Sequence, residues 1–582
     1  MAVSPTKLEE IARLLEQGRL AQAEAELSKL ARISPGDANV AGLQVMVFAR
    51  SGRTEQALFA AERRAALLPG DFAAQAAPVD LLLGAGRKAE ALDRARRLFE
   101  RDKSGSRGAL VYASVLLHSG RLGEANRLIQ EVESRGVRSS DLSGTRASAL
   151  LGMGHAAEAV GVLEQILARE PGHPSALGLL AMTLNYVPGV DPARQFEIHR
   201  AYGDAMKRFS APGAGRGTIS AGEMTVGLLS SDLHEHSVAR FVEPIARYAA
   251  QAGVRIVLIS MGTYSDATSK RLAQLAKWHD LRPVGAARLA QIVREEKIGV
   301  LVELGGHTTN SPLPLLIPRV APVQGTAIGY PNTTGLGTVD FRLVDSITDP
   351  PGASDGRATE RLLRLDPCFL CFQPPEDAPD PGALPAASGG GVTFGSFNAL
   401  SKVSDELLAD WAELLRRVPG SRFVIKAPAL EDEPTRRDLL SRAERAGLPG
   451  DRLELIGRKA TMREHLACYQ AIDIAVDTYP YHGTTTTCEA LWMGVPVLTR
   501  EGDRHASRVG VSLLRAVGAP EWIARDREEL FALGASLAGD LVALAKIRAE
   551  LRERVRRSVL CDGLAYAHRW AGAIRGFAAG AP

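Results

Sequence analysis

The sequence predicts an α-helical solenoid followed by two α/β lobes, each built on a parallel sheet. Three observations predict it. Small residues recur on a fixed 34-residue grid near the start of the chain. From Met224 onward, short β-branched runs alternate with helical stretches. A Pro-, Gly- and Ala-rich stretch without periodicity (371–391) divides those runs into two sets. A chain of 582 residues is also too long for one core, so about three or four domains are expected.

The grid is carried by Gly18, Gly52, Gly86, Gly120 and Gly154, and by Ala23, Ala57, Ala91, Ala125 and Ala159. Pro35, Pro69 and Pro171 fall on the same period. Each unit reads as two short amphipathic helices. The glycine supplies the left-handed residue that ends the first helix, the alanine lets the second pack closely on it, and the proline closes the unit. This is the period and small-residue pattern of tetratricopeptide repeats. A generic Ala-rich bundle would explain the helices but not the constant spacing. The solenoid is assigned to 1–183 and a connecting segment to 184–222, which includes the small-residue stretch 210–222. A repeat array offers a groove for extended peptide and does no chemistry, so it predicts a protein partner.

The lobes follow from the second pattern. Runs at 225–231, 255–260, 299–304 and 341–346 read as buried strands of a first lobe, assigned to 223–370. Runs at 392–397, 422–427, 452–457, 472–478 and 495–500 read as strands of a second, assigned to 392–582 with closing C-terminal helices. Strands alternating with helices imply parallel sheets. Two doubly wound lobes would turn their strand ends, and the ligand crevice, toward one another. Neither G-x-G-x-x-G nor G-x-x-x-x-G-K-[ST] opens a lobe, which argues against a dinucleotide dehydrogenase and a P-loop enzyme.

Composition narrows the rest. Hydrophobic residues make up 45% and charged residues 24%, as in globular chains. A net charge of +3 without a long Lys/Arg run, and 5% aromatic residues, give no footprint for nucleic acid. The N-terminus has no apolar signal region, and no stretch has the roughly 18 apolar residues of a membrane span. A cytoplasmic protein is expected. Cys368 and Cys371 form a C-x-x-C without a second pair at ligand spacing, so buried thiols are expected there rather than a metal. No metal or other cofactor is expected.

The densest chemical pattern is DTYPYHGTTTTCEALWMGVPVLT (477–499). A strand ends at Asp477, a Pro/Gly loop follows, and Thr484, Thr485, Thr486 and Thr487 lead into a helix. Free N–H groups and the positive dipole end there, together with hydroxyls, suit a pyrophosphate. One threonine is needed as a cap; four exceed that need. Glu489, one turn on, can accept from a ribose or sugar hydroxyl. Lys402 follows another strand end and can neutralise a leaving diphosphate, although a lone lysine is usually a solvated surface residue. Thr461 and Glu464 stand at capping-box spacing, which places His465 in a first helical turn. In the first lobe, His234 and His236 follow the opening strand and His307 a later one. Each can be a hydrogen-bonding or base partner for a hydroxyl, or simply a cap. Of these His236 is the first choice.

Residues from about 224 to 570 resemble the catalytic region of the O-linked N-acetylglucosamine transferase and SPINDLY family, and the preceding repeats match its layout. The carriers are SSDLHEHSV, VELGGHT, QGTAIGYPNTTGLGTVDFR, FGSFNALSK and DTYPYHGTTTTCEALWMGVP. The resemblance implies a GT-B glycosyltransferase of two Rossmann-like lobes that inverts the anomeric centre, without a metal, on Ser or Thr hydroxyls. By motif position it implies that Lys402 is the phosphate lysine and His236 the histidine beside the acceptor. It likewise makes Thr484–Thr487 the diphosphate segment and His465 a neighbour of the base. His307 and Glu489 complete the donor-binding candidates. Gly483-Thr484-Thr485-Thr486 replaces the Gly-His-Thr-Thr of animal members, and Ala399 and Cys468 replace polar residues there. In these details the chain looks more like SPINDLY, whose plant members transfer fucose from GDP-fucose. UDP-GlcNAc is the first expectation for the donor and GDP-fucose the alternative; a bacterial flagellin-type transfer of another sugar is a third. A non-catalytic repeat scaffold and a small-molecule transferase are the competing classes.

Overall fold

A computed structural model of the chain describes residues 4–16, 18–101, 105–209, 224–262, 266–282 and 285–580. The small-residue stretch 210–222 lies outside the described residues. The chain forms two compact units, Met1–Ala149 and Leu150–Pro582.

The first unit is the bulk of the repeat array. Its helices run in pairs, from Pro5–Glu16 with Leu20–Ile33 to Ser106–His118 with Leu122–Ser134. All five grid glycines adopt the left-handed conformation, from φ +71° at Gly18 to +93° at Gly154. All five grid alanines are 0% exposed, so a methyl is all that the paired helices admit there. Asp37 and Asp71 cap two of the helices by accepting from first-turn amides.

The second unit begins inside the array, while the repeat helices themselves run on to Thr183. Helices Ala156–Arg169, Pro174–Thr183 and Pro192–Met206 belong to the same compact unit as the lobes. The physical reason is a buried arginine. Arg442 of the second lobe donates to the Met153 carbonyl at 2.9 Å and to Val403 at 2.7 Å. A Cβ on Gly154 would fall 2.6 Å from the Val403 carbonyl. The segment expected to connect (184–222) is described over 184–209, where the helix Pro192–Met206 places Tyr202 and Met206 in the first lobe's core.

The first lobe carries seven parallel strands: β1 Met224–Ser230, β2 Val254–Ser260, β3 Lys277–Asp280, β4 Val300–Glu303, β5 Val323–Thr326, β6 Phe341–Val344 and β7 Arg361–Arg364. Their order is β3-β2-β1-β4-β5-β6-β7. The second lobe carries β8 Thr393–Ser396, β9 Arg422–Lys426, β10 Leu453–Ile456, β11 Ile474–Val476, β12 Val497–Arg500 and β13 Ile523–Ala524, ordered β10-β9-β8-β11-β12-β13. Both are doubly wound, with switch points between β1 and β4 and between β8 and β11. All nine expected strands are present. The four unexpected ones are short, and three of them (β3, β7, β13) are edge strands; β3 and β7 carry charged residues that guard an open ladder.

The closing helices divide between the lobes. Leu544, Leu551 and Val555 pack in the second lobe's core, whereas Tyr566, Trp570 and Ile574 of the last helix, Gly563–Ala578, pack in the first lobe's. The chain therefore crosses back, and the assignment of the whole C-terminus to the second lobe is corrected. Cys368 and Cys371 are buried free thiols; burial pushes Cys368 up to about 12. Among the described residues no single helix is long and apolar enough to cross a membrane.

Candidate functional site

The C-terminal ends of the two sheets enclose a cleft of about 490 Å³. The first lobe contributes Glu235, His236 and Arg240, and the second Phe397, Lys426, Arg458, His465, Thr485, Thr486 and Glu489, among others. These residues lie at strand ends or in the loops and opening helical turns that follow β1, β8, β9, β10 and β11, the side on which a doubly wound sheet binds ligands.

The threonine turn differs from the expected cap in an informative way. Thr484 is the N-cap of helix Thr485–Trp492, yet no side chain caps that helix. The N–H groups of Thr485, Thr486 and Thr487 consequently have no acceptor among the described residues. These are donors of a helix N-terminus left open toward an anion. Thr485 and Thr486 face the cleft; Thr487 is buried behind them and Thr484 is not in its lining. The turn is fixed by Asp477, which accepts from the Gly483 amide at 2.6 Å and from the Thr499 hydroxyl at 2.9 Å. Gly483 must be glycine because of crowding. A Cβ there would stand 2.5 Å from the Thr486 hydroxyl and 2.7 Å from that of Thr487.

Lys402 sits just behind this turn rather than in the open cleft wall. Its ammonium donates to the His482 carbonyl at 2.7 Å and to Asn398 Oδ1 at 3.4 Å, with the Tyr481 ring 4.3 Å away. Asn398 Oδ1 also accepts from the Thr486 hydroxyl at 2.9 Å. Lys402 and the threonine turn thus converge on one oxygen. Burial pulls the lysine down to about 8, against the opposing pull of Asp477.

His465 lies in the first turn of helix Met462–Ala467, and its Thr461/Glu464 capping box is formed as expected. Its ring bridges two charged groups. Lys426 Nζ donates to Nδ1 at 2.6 Å, so the neutral ring carries its proton on Nε2 and donates it to Glu489 at 2.9 Å. Tyr469, whose hydroxyl donates to the Thr486 carbonyl at 3.2 Å, supports the same corner. Burial holds Lys426 below its ordinary value.

His236 is both cap and cleft residue. It is the N-cap of helix Ser237–Tyr248, with Nδ1 accepting from the Val238 amide at 3.3 Å. That bond puts the neutral ring's proton on Nε2, and partial desolvation of the ring at the cleft lowers the pKa, favouring the neutral form. In this arrangement Nε2 is a donor. To act as a base the ring would have to release the Val238 amide. His234 lies beside it, with ring centroids 5.7 Å apart.

His307 is placed elsewhere than expected. Its Nε2–H donates to the Thr334 carbonyl at 2.9 Å, and its ring packs among His199, Tyr202 and Tyr330, outside the cleft lining. Burial there lowers it to about 4, so it is a neutral packed ring. The structure also brings in Asn398 and Lys426, which the sequence reading did not single out. The available signal for Lys426 was a lysine closing the strand Arg422–Lys426 directly after three apolar residues.

A model of glycosyl transferase family 41 matches residues 212–371 and 384–570, and a tetratricopeptide repeat model matches 79–134 and 145–185. The chain is 40% identical over 397 residues to the probable UDP-N-acetylglucosamine–peptide N-acetylglucosaminyltransferase SPINDLY of Arabidopsis thaliana, a match over 67% of this chain and 43% of that protein. The Petunia hybrida protein of the same name is 38% identical over 392 residues, covering 66% of this chain and 42% of its own length. The chain therefore spans less than half the length of these plant relatives. An O-GlcNAc transferase mutant from Thermobaculum terrenum superposes with a TM-score of 0.78 at 30% identity, over 91% of this chain and 98% of that one. The match of the family model to more than half the chain, on the lobes that build the cleft, makes this protein a member of glycosyl transferase family 41.

Proposed function

We propose that the protein is an inverting protein O-glycosyltransferase, moving a sugar from a nucleotide donor to Ser or Thr hydroxyls. The observation that carries the reading is the uncapped helix at Thr485–Trp492, with Lys402 and the threonine hydroxyls gathered on Asn398. A diphosphate seated on the open amides gains charge as the anomeric C–O bond breaks. Lys402 and the helix terminus stabilise that charge where it develops. The chain's own groups thus carry the leaving group, and transfer is proposed to need no metal. The acceptor oxygen forms the new bond from the opposite face of the sugar ring as the anomeric C–O bond to the diphosphate breaks, and its proton passes to cleft water or to an oxygen of the departing diphosphate. His236 orients it through Nε2–H, which the cap bond to Val238 leaves as a donor. His465, held between Lys426 and Glu489, packs beside the base, and Glu489 accepts from a donor hydroxyl.

UDP-GlcNAc is the proposed donor, in line with the names of the plant relatives. GDP-fucose is the alternative, favoured by Ala399, Cys468 and the Gly483–Thr486 run. The repeats are proposed to bind the acceptor protein and raise its concentration near the cleft. Thermal-shift titration with UDP-, GDP- and CMP-sugars identifies the donor, since the bound nucleotide stabilises the folded state. Turnover of that donor with a protein acceptor then tests transfer. Binding of no nucleotide sugar at all would sink the reading.

A further inference from the structure

We propose that His505 and Asp349 are positioning residues for the transfer proposed above: their bond ties the two lobes together and holds the His482 carbonyl against Lys402. The inference rests on that reading of the cleft.

Asp349 belongs to the first lobe and His505 to the second. The His505 Nδ1–H donates to Asp349 Oδ2 at 2.5 Å, and Arg342 of β6 donates to the other carboxylate oxygen at 2.6 Å. All three side chains are buried, and the Phe369 ring meets His505 edge-on at 5.1 Å. Burial opposes ionisation of Asp349, yet Arg342 and His505 together hold its carboxyl far below the usual range. Two further bonds run across the same seam: Arg508 Nε to the Ile347 carbonyl at 2.6 Å and the Ser512 hydroxyl to Asp345 at 2.5 Å. A buried charged cluster of this kind is weak evidence for stability. Its place in the fold points to registry instead.

The segment that His505 anchors is also the wall behind the diphosphate turn. The His482 amide donates to the Ala506 carbonyl at 2.9 Å, and the Gly510 amide donates to His482 Nδ1 at 3.1 Å. The His482 Nε2–H donates to the Arg500 carbonyl at 2.9 Å. With its amide and both ring nitrogens taken by residues 500–510, His482 can present only its carbonyl, and Lys402 takes it. The path from one lobe to the catalytic lysine is therefore Arg342, Asp349, His505, Ala506, His482, Lys402. The proposed transfer uses none of the first four.

The test reads Lys402 itself. In the full-length protein, Lys402 is labelled with acetic anhydride across a pH series and quantified by peptide mass spectrometry. In the wild type, half-labelling is expected near pH 8, set by burial against Asp477, with Tyr481 and His482 the other titratable groups facing it. His505→Ala and Asp349→Asn should release the wall, admit water and raise that midpoint by at least about one pH unit toward the ordinary lysine value. His505→Asn, which keeps a donor near Nδ1, should restore the wild-type midpoint. In turnover, the Ala variant should lose about tenfold or more in kcat with donor KM little changed. Asp349→Asn serves if His505→Ala does not fold. An unchanged Lys402 midpoint in the folded variants, or no restoration by Asn, overturns the inference. Labelling needs no turnover, so a wild type without transfer would sink the proposed function while leaving this result readable.

Discussion

Replacing Lys402 with Met should make the protein inactive and yet no less stable. Burial lowers this lysine from 10.5 to about 8, which at about 1.4 kcal/mol per pH unit corresponds to about 3 kcal/mol. The sign follows from proton binding. Between pH 8 and 10.5 the unfolded chain holds a proton on this group that the folded chain has released, so wild-type stability rises with pH across that window. Below pH 8 the full penalty of keeping a buried ammonium charged is present. Methionine has a similar length and no charge, so it removes the penalty but leaves the His482 carbonyl without its donor, at a cost of about 1–3 kcal/mol. The net expectation at pH 7 is a change between zero and about 2 kcal/mol in favour of the variant, shrinking as pH approaches 10. Transfer should fall by about a thousandfold or more, since the leaving charge loses its cation. Urea unfolding of both proteins at several pH values, beside donor turnover, measures both arms. A variant that is clearly less stable at pH 7, or a difference that does not change with pH, refutes the burial argument. Retained transfer refutes the role.

Three other predictions concern the same cleft. Gly483→Ala should lower kcat/KM by about a hundredfold, because its Cβ displaces the Thr486 and Thr487 hydroxyls from contacts of 2.5 and 2.7 Å; steady-state kinetics on a folded variant checks it. His236→Asn keeps a good helix cap and should leave the melting temperature within a few degrees, whereas His236→Ala should cost about 1 kcal/mol. Both should lose transfer, and an active Asn variant would reduce His236 to a cap. Glu489→Gln removes the carboxylate that accepts from His465 at 2.9 Å. It should raise donor KM more than it lowers kcat, and a pure kcat effect would argue against a donor-binding role.

The repeats were legible because their constraint is local and periodic. A left-handed glycine and a fully buried alanine admit few substitutes, so Gly18 through Gly154 and Ala23 through Ala159 print the architecture directly. Nine strands were legible for a related reason, being short runs rich in apolar residues, most of them buried on both faces. Strand β5 was not, because VQGT is no apolar run: Gln324 is buried there only because its side chain accepts from Val320 and donates to the Leu316 and Thr338 carbonyls. The histidines show the limit on the site. His236, His307 and His465 have the same chemistry in sequence, and their roles part only when packing assigns a partner to each ring nitrogen.

By itself the sequence determined the repeat period, the two-lobed plan and the threonine turn, because each rests on short-range spacing along one chain. Tertiary structure decided what spacing cannot carry. It left the helix after Thr484 uncapped and set Lys402 behind the turn on Asn398 and His482. It removed His307 to an aromatic cluster and joined Asp349 to His505 across 156 positions of chain. Desolvation and hydrogen-bond partnership depend on which distant segments meet, and those meetings are fixed only when both lobes have packed.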